Sequence, residues 1–289
     1  MTSEPREHAY EPLIRLSAQW RRGGAWLGPA WAVVCGLIAS AGFRWESGRV
    51  IAALVALVVA EGLLAAFWTA VAETDWATPL EHWRTWNDGQ PVKPLPYAQP
   101  GSAAEHFAIV LGQLRDWAAR DLLPQYGAVL ASLVVAPVIA LILSAVLGAS
   151  AILVCILSLA LAQLALALCR GNGKPDALLR GAVLITLPCL LGFSLYKPIS
   201  WEIISVSIGF GVAYAGVFST QPASRLANVW WNLGQVIVLA LLVATRHSVG
   251  AFIFAILWLP QFLIQAQPKP SRAQWWLMAG MLVASISIA

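Results

Sequence analysis

Residues 49–72 read RVIAALVALVVAEGLLAAFWTAVA. After Arg49 the run holds a single ionisable residue, Glu61, and no proline. A helix of that length, at about 1.5 Å per residue, crosses a hydrocarbon core of about 30 Å. A helix on the surface of a soluble protein keeps a polar face, and this run has none. Eight more apolar runs follow the same pattern, giving nine at approximately 25–43, 49–72, 125–147, 149–169, 179–196, 200–219, 229–245, 249–267 and 273–289. With 59% hydrophobic and 11% charged residues and a mean hydropathy of +0.72, the composition excludes a soluble globule. The fold class expected is all-α: a polytopic integral membrane bundle of about nine transmembrane helices.

Residues 1–24 then form a cytoplasmic tail, and 25–289 a single membrane domain with a large cytoplasmic loop at 73–124. About 24 polar residues precede the first run and no small-x-small cleavage site follows it, so it reads as a retained anchor. Lysine and arginine set the orientation. With the N-terminus inside, 14 of them fall on inner segments and 4 (Arg44, Arg49, Lys197 and Arg246) on outer loops. That predicts an inner or plasma membrane protein with a cytoplasmic N-terminus and an outer C-terminus. The net charge of +4 follows from this topology and suits anionic headgroups, not nucleic acid. Cys35, Cys155, Cys169 and Cys189 sit in or at the ends of apolar runs without CxxC spacing, as small buried hydrophobes do.

Glu61 lies about twelve residues into its run. A carboxyl at that depth must face the bundle interior, a water-filled cavity or a partner. It is therefore either a substrate-binding or coupling group, or a protonated carboxyl hydrogen-bonded to a neighbouring helix. The segment 73–124 carries seven of the fourteen acidic residues. Within it Thr78-Pro-Leu-Glu81 predicts a helix capped by Thr78 and stopping at Asp88-Gly89. Four prolines make 90–101 a loop. Ser102-Ala-Ala-Glu105 is a second capping box, heading an amphipathic helix with Phe107, Val110, Leu111, Leu114 and Trp117 at helical spacing. That helix is expected to lie on the inner membrane surface and end before Pro124.

Nine helices, an inner N-terminus and long or polar inner loops after the second and sixth helices resemble the UbiA superfamily of intramembrane aromatic prenyltransferases. Lys93-Pro-Leu-Pro-Tyr-Ala98 is similar to the family's Arg-Pro-x-Pro-Ser-Gly segment, and Glu73-Thr-Asp75 with Glu81 lies where its first aspartate-rich motif would be. The resemblance implies Mg2+ held by Glu73 and Asp75, catalytic roles for Asp75 and Glu81, and substrate contacts from Lys93 and Arg84, with Glu61 deeper in the span. It implies a lipid or isoprenoid ligand.

The family's Asn-x-x-x-Asp-x-x-x-Asp spacing departs here to Thr69, Glu73, Ala77 and Glu81, and residues 219–228 hold no acid. Magnesium takes hard oxygen ligands, so half the usual carboxylate cage is missing. This predicts a divergent or catalytically impaired member. The alternative is a transporter, or a non-catalytic subunit with membrane-protein partners, in which Glu61 is the coupling or pairing group. No zinc spacing and no GxSxG elbow points to other chemistry.

Overall fold

The computed structural model describes residues 28–41, 46–86, 101–169, 176–217, 225–264 and 270–289. In chain order its helices are α1 (Pro29–Ala39), α2 (Ser47–Glu73), α3 (Ala77–Thr85), α4 (Ala103–Leu147), α5 (Ala149–Cys169), α6 (Ala177–Ser194), α7 (Trp201–Val217), α8 (Arg225–Ala244), α9 (Ser248–Ile264) and α10 (Pro270–Ile288). No strand occurs among the described residues. By length and apolarity α2, α4, α5, α6 and α8 suffice to cross a membrane, while α1, α7, α9 and α10 contain shorter apolar helices. Val134, Val138, Ile142 and Val146 on α4 and Phe252 and Ile256 on α9 are each more than half exposed. Outward apolar faces of this extent suit lipid better than water.

Glycine lets the helices approach backbone to backbone. A Cβ on Gly36 of α1 would strike the Cys189 carbonyl oxygen of α6, and one on Gly192 would strike that of Val33. Gly181 of α6 meets the Gly211 carbonyl of α7 in the same way, beside a hydrogen bond from Thr186 Oγ1 to Ser207 O at 3.0 Å. Gly209 and Gly216 of α7 pack against α8, as small residues do at membrane helix contacts. Cys35, Cys155 and Cys189 are buried free thiols.

Two local expectations change. Helix α3 starts at Ala77 behind Trp76, because the Asp75 carboxylate, not the Thr78 hydroxyl, takes its first N–H groups, and it ends at Thr85, short of Asp88-Gly89. The second is at Pro124, where the helical run from Ala103 to Leu147 continues unbroken over 45 residues. A π-helical turn at Ala118–Leu122 immediately precedes that proline. Such a turn widens the backbone spiral and relieves the clash a proline ring makes with the carbonyl one turn back. The Ser102 cap forms as read, its hydroxyl accepting from Glu105 N at 3.2 Å.

Candidate functional site: an acid–base cluster between α1, α2, α6 and α7

Two of the sequence-predicted residues, Glu61 and Glu73, stand at opposite ends of a polar array that Tyr214 of α7 links electrostatically. Both lie on π-helical turns of α2, Val58–Leu64 and Thr69–Glu73, a distortion frequent at functional sites. Glu61 is close to midway along α2, about 18 Å from Glu73 at helical rise. Its Oε2 accepts the Ala30 N–H of α1 at 3.1 Å. Helix α1 is preceded by Gly28, and a Cβ there would lie 3.3 Å from the same oxygen. Glycine thus leaves room for the carboxyl to reach the first turn, where unpaired N–H groups and the helix dipole favour negative charge.

At the other end of the cluster Glu73 Oε1 pairs with Arg180 Nη2 at 2.9 Å, the side chains being 32% and 28% exposed respectively. Enough of the pair is open for an exchanging partner to reach it. Asp176 caps the start of α6 by accepting Leu178 N at 2.8 Å, which sets Arg180 one turn inside. The Gly181–Gly211 contact brings that turn against α7, where buried Tyr214 hydrogen-bonds Arg180. The Tyr214 hydroxyl is within electrostatic reach of Arg180, Glu73 and Glu61 together. Four helices therefore contribute: a backbone N–H from α1, two carboxyls from α2, a guanidinium from α6 and a phenol from α7. Nearby in sequence, the indole Nε1 atoms of Trp31 and Trp68 are buried without a hydrogen-bond partner.

The remaining sequence candidates stand apart. Asp75 Oδ1 accepts Ala77 N at 3.0 Å and its Oδ2 accepts the Thr78 hydroxyl at 2.7 Å. The Thr78 hydroxyl first, then the backbone N–H groups, hold the Asp75 carboxyl below its ordinary range. Glu81 and Arg84 are exposed on α3. That helix folds back on α4 through three contacts. The Trp76 and Tyr126 rings stack at 5.9 Å, Trp83 and Trp117 tilt at 5.4 Å, and His82 Nδ1 lies 3.2 Å from Asp121 Oδ2. Lys93 and the proline-rich segment lie outside the described residues. Among the described residues no group of three or more histidine, cysteine or acidic side chains gathers to hold a metal ion. Glu73 faces a guanidinium and Asp75 is committed to a helix start, so these residues do not fit a magnesium clamp.

Sequence reasoning did not single out Arg180 or Tyr214. One signal was available: a phenol in an apolar run must find a hydrogen-bond partner. No protein-family model, curated protein or solved structure matches the chain.

Proposed function

We propose that the chain is a polytopic membrane protein that binds a lipid or isoprenoid by its anionic headgroup at Arg180. In this reading the chain has nine crossings, a cytoplasmic N-terminus and an outer C-terminus. It is a UbiA-like scaffold handling its ligand without a carboxylate–magnesium clamp. One observation carries this: a partly exposed guanidinium on α6, paired with the Glu73 carboxylate and hydrogen-bonded to the Tyr214 phenol. A guanidinium offers five donors in a rigid fork that matches phosphate oxygens, and the partly exposed Arg180 presents that fork beside Glu73. The ligand's tail would lie along the apolar helices, as the headgroup replaces or shares the Glu73 carboxylate. In nanodiscs, Arg180→Met should weaken binding of an anionic phosphodiester lipid by roughly tenfold or more, the scale of a lost charge-assisted contact. Unchanged affinity would remove this reading.

Glu61 favours a second reading, a transporter. Ionisable groups at such depth mark translocation pathways, and α1 starts at this carboxyl, as broken helices do at transporter binding sites. Under that reading Glu61→Gln abolishes uptake without lowering the amount of folded protein.

A further inference from the structure

We propose that the protein self-associates in the membrane through the outward side of α5, where Gln163 of one copy hydrogen-bonds Gln163 of a second. This contact is independent of the Arg180 site and requires only that α5 cross the bilayer, for which it is long and apolar enough.

Helix α5 has two faces of opposite standing. Ala151, Val154, Cys155, Ser158, Ala162 and Ala165 are buried, at the three- and four-residue steps that keep one side of a helix turned to its bundle. Ala149, Leu153, Ile156, Ala160, Gln163 and Ala167 are exposed, at steps of four, three, four, three and four. That is the spacing of a narrow seam between two packed helices, and it runs along the side away from the bundle. The seam is apolar except at Gln163.

Gln163 lies 14 residues after Ala149 and 6 before Cys169, about 21 and 9 Å from the two ends of α5 at helical rise. Its side chain is too short to reach the headgroups from that depth. Among the described residues its carboxamide has no hydrogen-bond partner. Two carboxamides of α8 are accommodated differently. Asn232 donates to Asn228 O at 2.9 Å and accepts from Trp258 Nε1 at 3.4 Å, and Gln235 is buried.

Lipid chains offer a carboxamide neither donor nor acceptor, and each unmet polar group there costs free energy. A second copy supplies both. Two copies in one membrane share one orientation, so a two-fold axis along the membrane normal sets α5 parallel to α5, each residue facing its counterpart at equal depth. The Gln163 side chains then meet. A carboxamide is donor and acceptor at once, so Nε2 of each donates to Oε1 of the other. Ala160 and Ala167, one turn to either side, let the backbones come close enough for this pair to form. An unrelated partner would have to carry a matching amide at that depth, whereas a second copy already does.

The test reconstitutes the full chain, labelled at its N-terminus with a donor or an acceptor dye, into phosphatidylcholine liposomes and follows energy transfer as the protein-to-lipid ratio falls. Transfer that saturates as a dimer is expected for the wild-type protein. Gln163→Leu should weaken association about five- to thirtyfold, and Gln163→Asn, which keeps the carboxamide, should retain most of it. Oxidative cross-linking in the same liposomes reads the geometry independently. Ala160→Cys should give a disulfide-linked dimer above the wild-type background, and Leu157→Cys, exposed but off the seam, should not. Energy transfer no greater than random proximity at every ratio would overturn the proposal. So would a dimer indifferent to Gln163→Leu, or one that cross-links through Leu157→Cys in preference to Ala160→Cys.

Discussion

Breaking the Glu73–Arg180 pair tests whether the cluster holds the bundle together as the geometry requires. Two unit charges about 4 Å apart attract by about 4 kcal/mol at an effective dielectric of about 20. Both side chains are about a third exposed, which pulls the value toward the 0–1 kcal/mol, roughly, of surface pairs. The reorganisation of a deeply buried pair, about 3–5 kcal/mol on losing one partner, is the other limit. A coupling energy of about 1–2 kcal/mol is therefore expected. The assay is a double-mutant cycle with Glu73→Gln and Arg180→Met, read as unfolding free energy in mixed detergent micelles. Each single change should cost about 2 kcal/mol and the pair together about 1–2 kcal/mol less than their sum. Additivity within about 0.3 kcal/mol would refute the pairing, and with it the placement of Arg180.

Three further changes probe the helix contacts around Arg180 and Glu61 and the start of α3. Gly181→Ala sets a methyl against the Gly211 carbonyl oxygen and should cost about 1–3 kcal/mol as an overpacked contact, measured by thermal unfolding in micelles; an unchanged midpoint would show that α6 and α7 do not touch there. Gly28→Ala places a Cβ 3.3 Å from Glu61 Oε2, so it should speed amide exchange at Ala30, while exchange at wild-type rates would mean that the carboxyl does not cap α1. Asp75→Ala should fray α3 and alter Trp83 and Trp117 emission. Because the folded Asp75 value lies below its ordinary range, its contribution is complete above that range and is lost as pH falls through the lowered value. Wild-type emission should therefore hold through the ordinary carboxylate range and change only at more acid pH.

The apolar stretches were legible because lipid-facing and core-facing side chains alike are hydrophobic, and an uninterrupted run marks itself. Glu61 stood out as the one carboxyl deep inside such a run, Glu202 lying at the edge of its own. The start of α3 was misplaced because Asp75 and Thr78 are both good caps, and only the fold shows Asp75 taking the first-turn N–H groups while Thr78 donates its hydroxyl to it. The alliance of Arg180 with Tyr214 depends on α6 and α7 being neighbours, which a single chain of 22 glycines does not announce. Gly181 and Gly211 matter because they face each other, and that is a tertiary fact. Grouping Glu73 with Asp75 and Glu81 followed sequence proximity. In the structure the chain bends at Thr74, whose backbone is extended, and the three carboxyls do not gather into a metal-holding group.

The most direct measurement is native mass spectrometry of the wild-type protein, Arg180→Met and the Asp75→Asn/Glu81→Gln double variant, each released from the same anionic nanodiscs. Retention of an anionic lipid by the wild-type protein and the double variant, and its loss from Arg180→Met, is the predicted pattern. Loss from the double variant with retention in Arg180→Met would place the headgroup at the acidic segment instead and contradict the account.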